Sequence, residues 1–217
     1  MGEFPWTPAL AQQAECRAHR NGQKELVTCY YMIANNTIDG YLWNMLSRKS
    51  VTSSLMLDGG EGDDLISIDA GSSHIVQAIG GLGDDVLQIR SGTVRIDGGD
   101  GYDVFSAAER NPLAGLNIDL IIGTFSSNGS DRFSGSISGI EELIGSDEHG
   151  DILRGSNSGE RLIGAGSNDV IEGRGGEDAL YGGAGNDNLS GGTDDDLMHG
   201  GAGSDFIDGG SGIDTAS

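Results

Sequence analysis

The chain is short of what ordinary globular cores are built from: aromatic residues make up 6% of its 217 residues, and there are two cysteines and three prolines. Two thiols, Cys16 and Cys29, exclude a disulfide framework. No run of eighteen apolar residues occurs, so no membrane-spanning helix is expected. The N-terminus lacks the basic-then-apolar order of a cleaved export signal. Basic residues are scarce, 12 Lys and Arg against 34 Asp and Glu, for a net charge of −22. Such a surface repels phosphate backbones and anionic lipid heads, so its acidic part is expected to bind no nucleic acid. No GxxxxGK[ST] loop is present to cradle a nucleotide. Neither HExxH nor GxSxG occurs, and His19, His74, His149 and His199 are read as solvated or packing residues. No catalytic or organic-cofactor residue is assigned, and no enzyme activity is expected.

What the chain has in excess is glycine, 39 residues, unevenly placed. The first 50 residues hold three of them and have five basic and four acidic side chains, a net of +1; the other 36 glycines and a net of −23 fall in residues 51–217. These are two pieces of different character. A glycine-rich, acidic composition by itself predicts disorder, so everything depends on how the residues are ordered.

The order is strict. Residues 155–217 divide without remainder into seven nonamers: GSNSGERLI, GAGSNDVIE, GRGGEDALY, GGAGNDNLS, GGTDDDLMH, GGAGSDFID and GGSGIDTAS. Position six is acidic throughout (Glu160, Asp169, Asp178, Asp187, Asp196, Asp205, Asp214) and position eight is apolar (Leu162, Ile171, Leu180, Leu189, Met198, Ile207, Ala216). One step back lie Asp151 and Leu153. A glycine-rich hexad turns the chain, because repeated positive φ needs glycine. The remaining three residues predict a very short strand with one inward side chain. Two nonamers return the chain to its start, which predicts 18-residue coils stacked as parallel strands about 4.8 Å apart around a thin aliphatic core.

That stacking sets acids 18 residues apart on one edge: Asp151, Asp169, Asp187 and Asp205 on one side, Glu160, Asp178, Asp196 and Asp214 on the other. Neighbouring charges one strand apart repel by about 1 kcal/mol in water and about 4 kcal/mol at intermediate dielectric. A thin core does not offset that along two edges. A hard divalent cation between turns reverses the sign, and Ca²⁺, which takes six to eight oxygen ligands in flexible geometry, suits it better than octahedral Mg²⁺. Several calcium ions are expected as folding ligands.

GGxGxD followed by x-aliphatic-x resembles the nonapeptide of RTX (hemolysin-type) calcium-binding proteins. GGEGDDLIS at 59–67, GGLGDDVLQ at 80–88 and GGDGYDVFS at 98–106 fit it too. The resemblance implies an all-β solenoid, a right-handed parallel β-roll, with each ion held by position-six carboxylates and loop carbonyls of successive turns. The expected metal ligands are Asp64, Asp85, Asp103, Asp151, Asp169, Asp178, Asp187, Asp196, Asp205 and Asp214. The best-matched pairs are Asp169 with Asp187, Asp187 with Asp205, Asp178 with Asp196, and Asp196 with Asp214. Glu160 departs from the pattern, being longer than aspartate and preceded by Ser158 where glycine is expected. Residues 57–106 are expected as a first block with calcium on one edge and plain alternating strands on the other, Val94 and Ile96 pointing inward. Residues 107–150 are expected as an irregular connector and 151–217 as a second block.

The first 50 residues predict a small α/β fragment: a helix from Thr7-Pro8 to about Arg20, a buried strand over Leu26–Ala34, and a second helix carrying Ile38, Tyr41, Leu42, Met45 and Leu46. WTPALAQQAECRAHRNGQ with IANNTIDGYLWNML resembles the end of the second motor lobe of Swi/Snf-type helicases, in particular the annealing-helicase branch. Gln13, Ala14, Arg17, Arg20, Gly22 and Gln23 match that family's sixth motif, with Cys16 where an acid is usual. The resemblance implies that Arg17 and Arg20 face a nucleotide γ-phosphate, where guanidinium groups stabilise phosphoryl transfer. The nucleotide loop and the metal-holding acidic motif are missing, so no ATPase is expected, and the fragment acts at most as a cap.

The leading reading is a non-enzymatic, calcium-dependent β-roll module acting as a monomer, with calcium ions as its partners. The alternatives are a fragment of a DNA-dependent ATPase, or the RTX part of a larger secreted enzyme or adhesin. The last nonamer ends at Ser217 with no closing cap, which leads us to expect that the natural protein continues. Low-affinity calcium modules suit millimolar extracellular Ca²⁺, so secretion is expected; the helicase-like piece alone argues for the cytoplasm.

Overall fold

Every backbone N–H and C=O in a coil this thin must be paired by the coil above or below it, and the observed architecture does this with two stacked sheets. The computed structural model describes residues 28–32, 55–69, 75–107, 115–127 and 133–217, and no helix occurs among them. One sheet has nine strands, in spatial order Thr28–Met32, Leu65–Asp69, Val86–Ser91, Val104–Ser106, Glu142–Ile144, Arg161–Gly166, Ala179–Ala184, Leu197–Ala202 and Thr215–Ala216. The other has ten: Leu55–Glu61, Ile75–Leu82, Thr93–Asp100, Ser134–Ser138, Thr124–Ser127, Leu116–Asp119, Ile152–Arg154, Val170–Gly175, Asn188–Thr193 and Phe206–Ser211. Outside residues 116–138 successive described strands alternate between the sheets and pair in parallel, which makes an all-β parallel roll.

The 18-residue coil is seen directly in the strand register. Leu162 stands opposite Leu180 and Leu180 opposite Met198, while Ile171 stands opposite Leu189 and Leu189 opposite Ile207. In residues 57–106 the first step is 21 residues (Leu65 opposite Val86), with a bulge at Ile68/Asp69, and the next is 18 (Val86 opposite Val104). Val94 and Ile96 point inward as expected. From Arg161 to Ser211 the strands of the second block run six residues, not the three expected; the first, Ile152–Arg154, has three and the last, Thr215–Ala216, two. Glycines and small residues of the next hexad continue the ladder, Gly183 pairing with Gly201 and Ala184 with Ala202. With no bulky side chain to clash, the start of the turn remains flat enough to pair.

Residues 107–150, expected to be an irregular connector, contribute four strands to the same two sheets. The irregularity is a meander: Thr124–Ser127 pairs antiparallel with both Leu116–Asp119 and Ser134–Ser138. Its inward residues are larger than elsewhere. Phe125 lies 5.8 Å from Phe105 and 4.9 Å from Phe133, centroid to centroid, and all three are buried. One hydrophobic column therefore runs without a break from Leu57 to Met198. The expected strand at 26–34 is found as Thr28–Met32, parallel to Leu65–Asp69. The two expected N-terminal helices lie outside the described residues.

Because each coil of the second block contributes about one large side chain per face, a single truncation there is felt. Leu180→Ala is expected to lower stability by about 2–5 kcal/mol, read from chemical denaturation; Leu197→Ala, at a position 44% exposed, is the control and is expected to change little.

Candidate metal centre

The position-six acids occupy the end of each turn, where the chain enters the next strand, and their side chains point back into the turn. Asp64, Asp85, Asp103, Asp151, Asp169, Asp178, Asp187 and Asp196 are all buried; Asp205 and Asp214, in the last coils, are half-buried. Each stacks on its neighbour through one oxygen. Oδ1 of Asp187 accepts the Asp169 N–H at 2.9 Å, and Oδ1 of Asp205 accepts that of Asp187 at 3.0 Å. On the opposite edge Asp178 accepts from Glu160 at 2.7 Å, Asp196 from Asp178 at 2.9 Å, and Asp214 from Asp196 at 3.1 Å. In the first block Asp85 accepts from Asp64 at 2.8 Å and Asp103 from Asp85 at 2.9 Å. The structure thus brings together the pairs expected from the nonamer spacing.

The second oxygen is the informative one. Oδ2 of Asp85, Asp103, Asp169, Asp178, Asp187 and Asp196 is buried with no hydrogen-bond partner. Buried carboxylate oxygens of that kind are costly and call for a counter-charge. Burial pushes the Asp85 carboxyl up to about 6 and those of Asp169 and Asp178 up to about 7, with neighbouring carboxylates adding to the rise. Asp103, Asp187 and Asp196 are raised for the same first reason, desolvation. Mutual repulsion, which the acid spacing suggests as the main problem, therefore ranks below loss of water. Asp151 stands apart from this set: its two oxygens both accept from backbone N–H groups, of Leu116 and Ser146, at 2.6 Å.

Glycine shapes the cradle around these oxygens. A Cβ on Gly182 would lie 2.3 Å from Asp187 Oδ2 and 2.6 Å from the Gly200 carbonyl, and Gly164, Gly173 and Gly191 repeat the arrangement. From residue 164 onward positions two and four of the hexad have positive φ, as in Gly183 (109°) and Gly185 (147°), so glycine is favoured there on conformational grounds; Ser156 and Ser158 do not. A second ladder lies outside the first. Asn168 Oδ1 accepts the Asn186 N–H at 2.7 Å and Asn186 Oδ1 accepts that of Ser204 at 2.8 Å; Asp63 and Asp84 do the same in the first block. Sequence reading passed over position five, although its run of Asn, Asp and Ser was the signal.

The donor set fits a hard divalent cation: carboxylate oxygens in need of positive charge, in turns made of backbone. Among the described residues no three His, Cys, Asp or Glu side chains converge. An ion here would complete its shell with main-chain carbonyls.

These features define a class, a solenoid of stacked calcium-type nonapeptide turns. The RTX calcium-binding nonapeptide repeat matches this chain in four copies, over residues 56–75, 154–189 and 181–216. Over those residues the chain is similar to that repeat, and the described ones lie on a parallel β-roll. A second likeness is short. The SWI/SNF-related matrix-associated actin-dependent regulator of chromatin subfamily A-like protein 1 of Drosophila melanogaster is 53% identical over 47 residues, 22% of this chain and 6% of that protein. The DNA annealing helicase and endonuclease ZRANB3 of Mus musculus is 46% identical over 57 residues, 26% of this chain and 5% of that protein. A Caenorhabditis elegans homolog of the former is 47% identical over 47 residues, 22% of this chain and 7% of its own length. The chain thus spans well under a tenth of the curated relatives it matches.

Two measurements test the geometry. Gly182→Ala is expected to destabilise by about 1–3 kcal/mol in thermal unfolding. Gly175→Ala, whose Cβ would come within 3.0 Å of the Thr193 hydroxyl and meet Asn157 at an ordinary 3.8 Å, is expected to cost less than half as much. The raised carboxyl pKa values also set a sign. A folded-state pKa above the unfolded one favours the fold at low pH and removes that contribution as pH rises through about 6–7. In chelator, β-type circular dichroism is expected to strengthen from pH 8 to pH 5. In saturating Ca²⁺ the trend is expected to vanish or reverse, since protons and metal compete for the same oxygens.

Proposed function

We propose that this chain is a calcium-dependent folding module without enzyme activity, in which Ca²⁺ supplies the counter-charge for the buried carboxylates of successive turns. The observation that supports it is the row of buried, unpartnered Oδ2 atoms on Asp85, Asp103, Asp169, Asp178, Asp187 and Asp196. Asp64, Asp205 and Asp214 extend the same edges toward the ends of the roll. Bound calcium supplies positive charge and links one coil to the next; the chain's own residues orient the carboxylates, exclude water from them and pair the backbone around them. The several ions concentrate in two blocks, 57–106 and 151–217, with 107–150 joining them.

The module acts as a monomer and binds no nucleic acid through its acidic coils, whose charge opposes it. No described helix is long and apolar enough to cross a membrane. Calcium-linked folding suits an extracellular setting at millimolar Ca²⁺, and the module serves as the folding part of a secreted protein. The helicase-like stretch acts at most as a cap; annealing-helicase activity, which belongs to the named relatives, is the competing reading. The missing nucleotide loop weighs against it.

The deciding experiment is a Ca²⁺ titration of the purified chain followed by far-ultraviolet circular dichroism, with Mg²⁺ as control and chelator to reverse it. A cooperative, reversible gain of β signal with Ca²⁺ alone is the expected result. A spectrum that is fully β in chelator and unmoved by Ca²⁺ would sink the proposal.

A further inference from the structure

The turns at the junction of the two blocks differ from the others at one position. The second residue of the hexad is glycine in residues 57–106 and again from Gly182 onward, but Ser146, Ser156, Ala165 and Arg174 in the turns between. The two serines bind carboxylates of the kind that elsewhere in the roll keep an unpartnered oxygen. Ser146 donates its N–H to Asp151 Oδ2 at 2.6 Å, and its hydroxyl lies 3.1 Å from the same atom, while Leu116 N–H serves Oδ1. Ser156 repeats the device: its N–H reaches Glu160 Oε2 at 2.9 Å and its hydroxyl reaches Oε1. Neither acid has the buried, unpartnered oxygen seen on Asp169, Asp178, Asp187 and Asp196.

Arg174 completes the arrangement with a positive charge. Its guanidinium grips Asp119 through both oxygens, at 2.9 and 2.6 Å, and donates to the Gly155 carbonyl at 3.0 Å. Asp119 lies on the strand Leu116–Asp119 and also accepts the Ile122 N–H at 3.0 Å, closing the turn of the meander. Arg174 therefore ties the second block to the connector across an intervening strand, Ile152–Arg154. It does so from φ 79°, a conformation that favours glycine and that its register neighbour Gly192 supplies. Ala165 has the same φ at the same position of the preceding hexad, so what sets Arg174 apart is its bidentate ion pair.

We infer that the calcium ladder is interrupted at this junction. Ser146 and Ser156 satisfy Asp151 and Glu160, Arg174 provides the local positive charge, and neither acid is a calcium ligand. The coils around residues 116–119 and 152–154 then keep their pairing without metal and form the base on which calcium assembles the outer coils. Arg174 is a positioning residue in this scheme. The inference rests on the calcium reading above and narrows its ligand set by removing Asp151.

The test counts ions on the full chain by native mass spectrometry in saturating Ca²⁺. Asp178→Asn and Asp187→Asn are each expected to lose at least one ion, and Asp151→Asn and Glu160→Gln to keep the wild-type number. Loss of an ion from either of the latter two overturns the inference. Hydrogen exchange in chelator supplies a second readout that does not require a variant to fold. Amides of 116–119 and 152–154 are expected to exchange at least tenfold more slowly than those of 188–193 and 206–211, and Arg174→Gln to remove that difference without changing the ion count. Equal rates in the wild-type chain overturn the inference while leaving calcium binding intact. A wild-type chain that binds no calcium removes the underlying reading and this one with it.

Discussion

The structure turns on how each aspartate divides its two oxygens. One is committed to the stack, accepting the backbone N–H of the acid one coil earlier, as Asp187 does for Asp169. The geometry that makes this bond points the other oxygen into the turn, away from water. The contact that aligns the coils therefore creates the deficit of positive charge that burial makes costly. Coil stacking and cation demand are two consequences of one side-chain orientation. In Asp169 and Asp178 that demand shows as a carboxyl held near neutrality by desolvation first and by neighbouring acids second.

Glycine is what permits this orientation. The first residue of each hexad must lie against both the carboxylate and a carbonyl of the next coil, and a Cβ at Gly182 would occupy that space. The second and fourth positions turn the chain through positive φ. The hydrophobic column inside is continuous. In the second block it is narrow, one Leu, Ile or Met per half-coil, as in Leu162, Leu180 and Met198, while half-coils of the first block bury two, as in Leu87 with Ile89 and Val94 with Ile96. Its aromatic part is where Phe105, Phe125 and Phe133 meet beside the meander. That aromatic core coincides with the stretch where Ser146, Ser156 and Arg174 provide internal partners for acids and carbonyls. Packing and protein-supplied charge thus reinforce each other at the centre of the roll, and the coils of the second block beyond it have less of both.

Much of this was legible from spacing. A nine-residue period with an acid at position six and an aliphatic at position eight determines the 18-residue coil, the inward column and the pairing of Asp169 with Asp187 or Asp178 with Asp196. The reason is physical: a solenoid contacts only its neighbours, so a local pattern repeated in register specifies the global stacking. Val94 and Ile96 were legible for the same reason, through strict alternation. Where the period lapses, legibility lapses with it. Residues 107–150 carry no repeat, and only the folded chain brings Phe125 between two antiparallel partners and places Asp119 within reach of Arg174, 55 residues away. The sequence by itself thus determined the architecture and the edges on which acids line up. The tertiary structure alone decided which carboxylate oxygens are left without a partner, because that depends on whether a donor such as Ser146 or Ser156 arrives from across the turn.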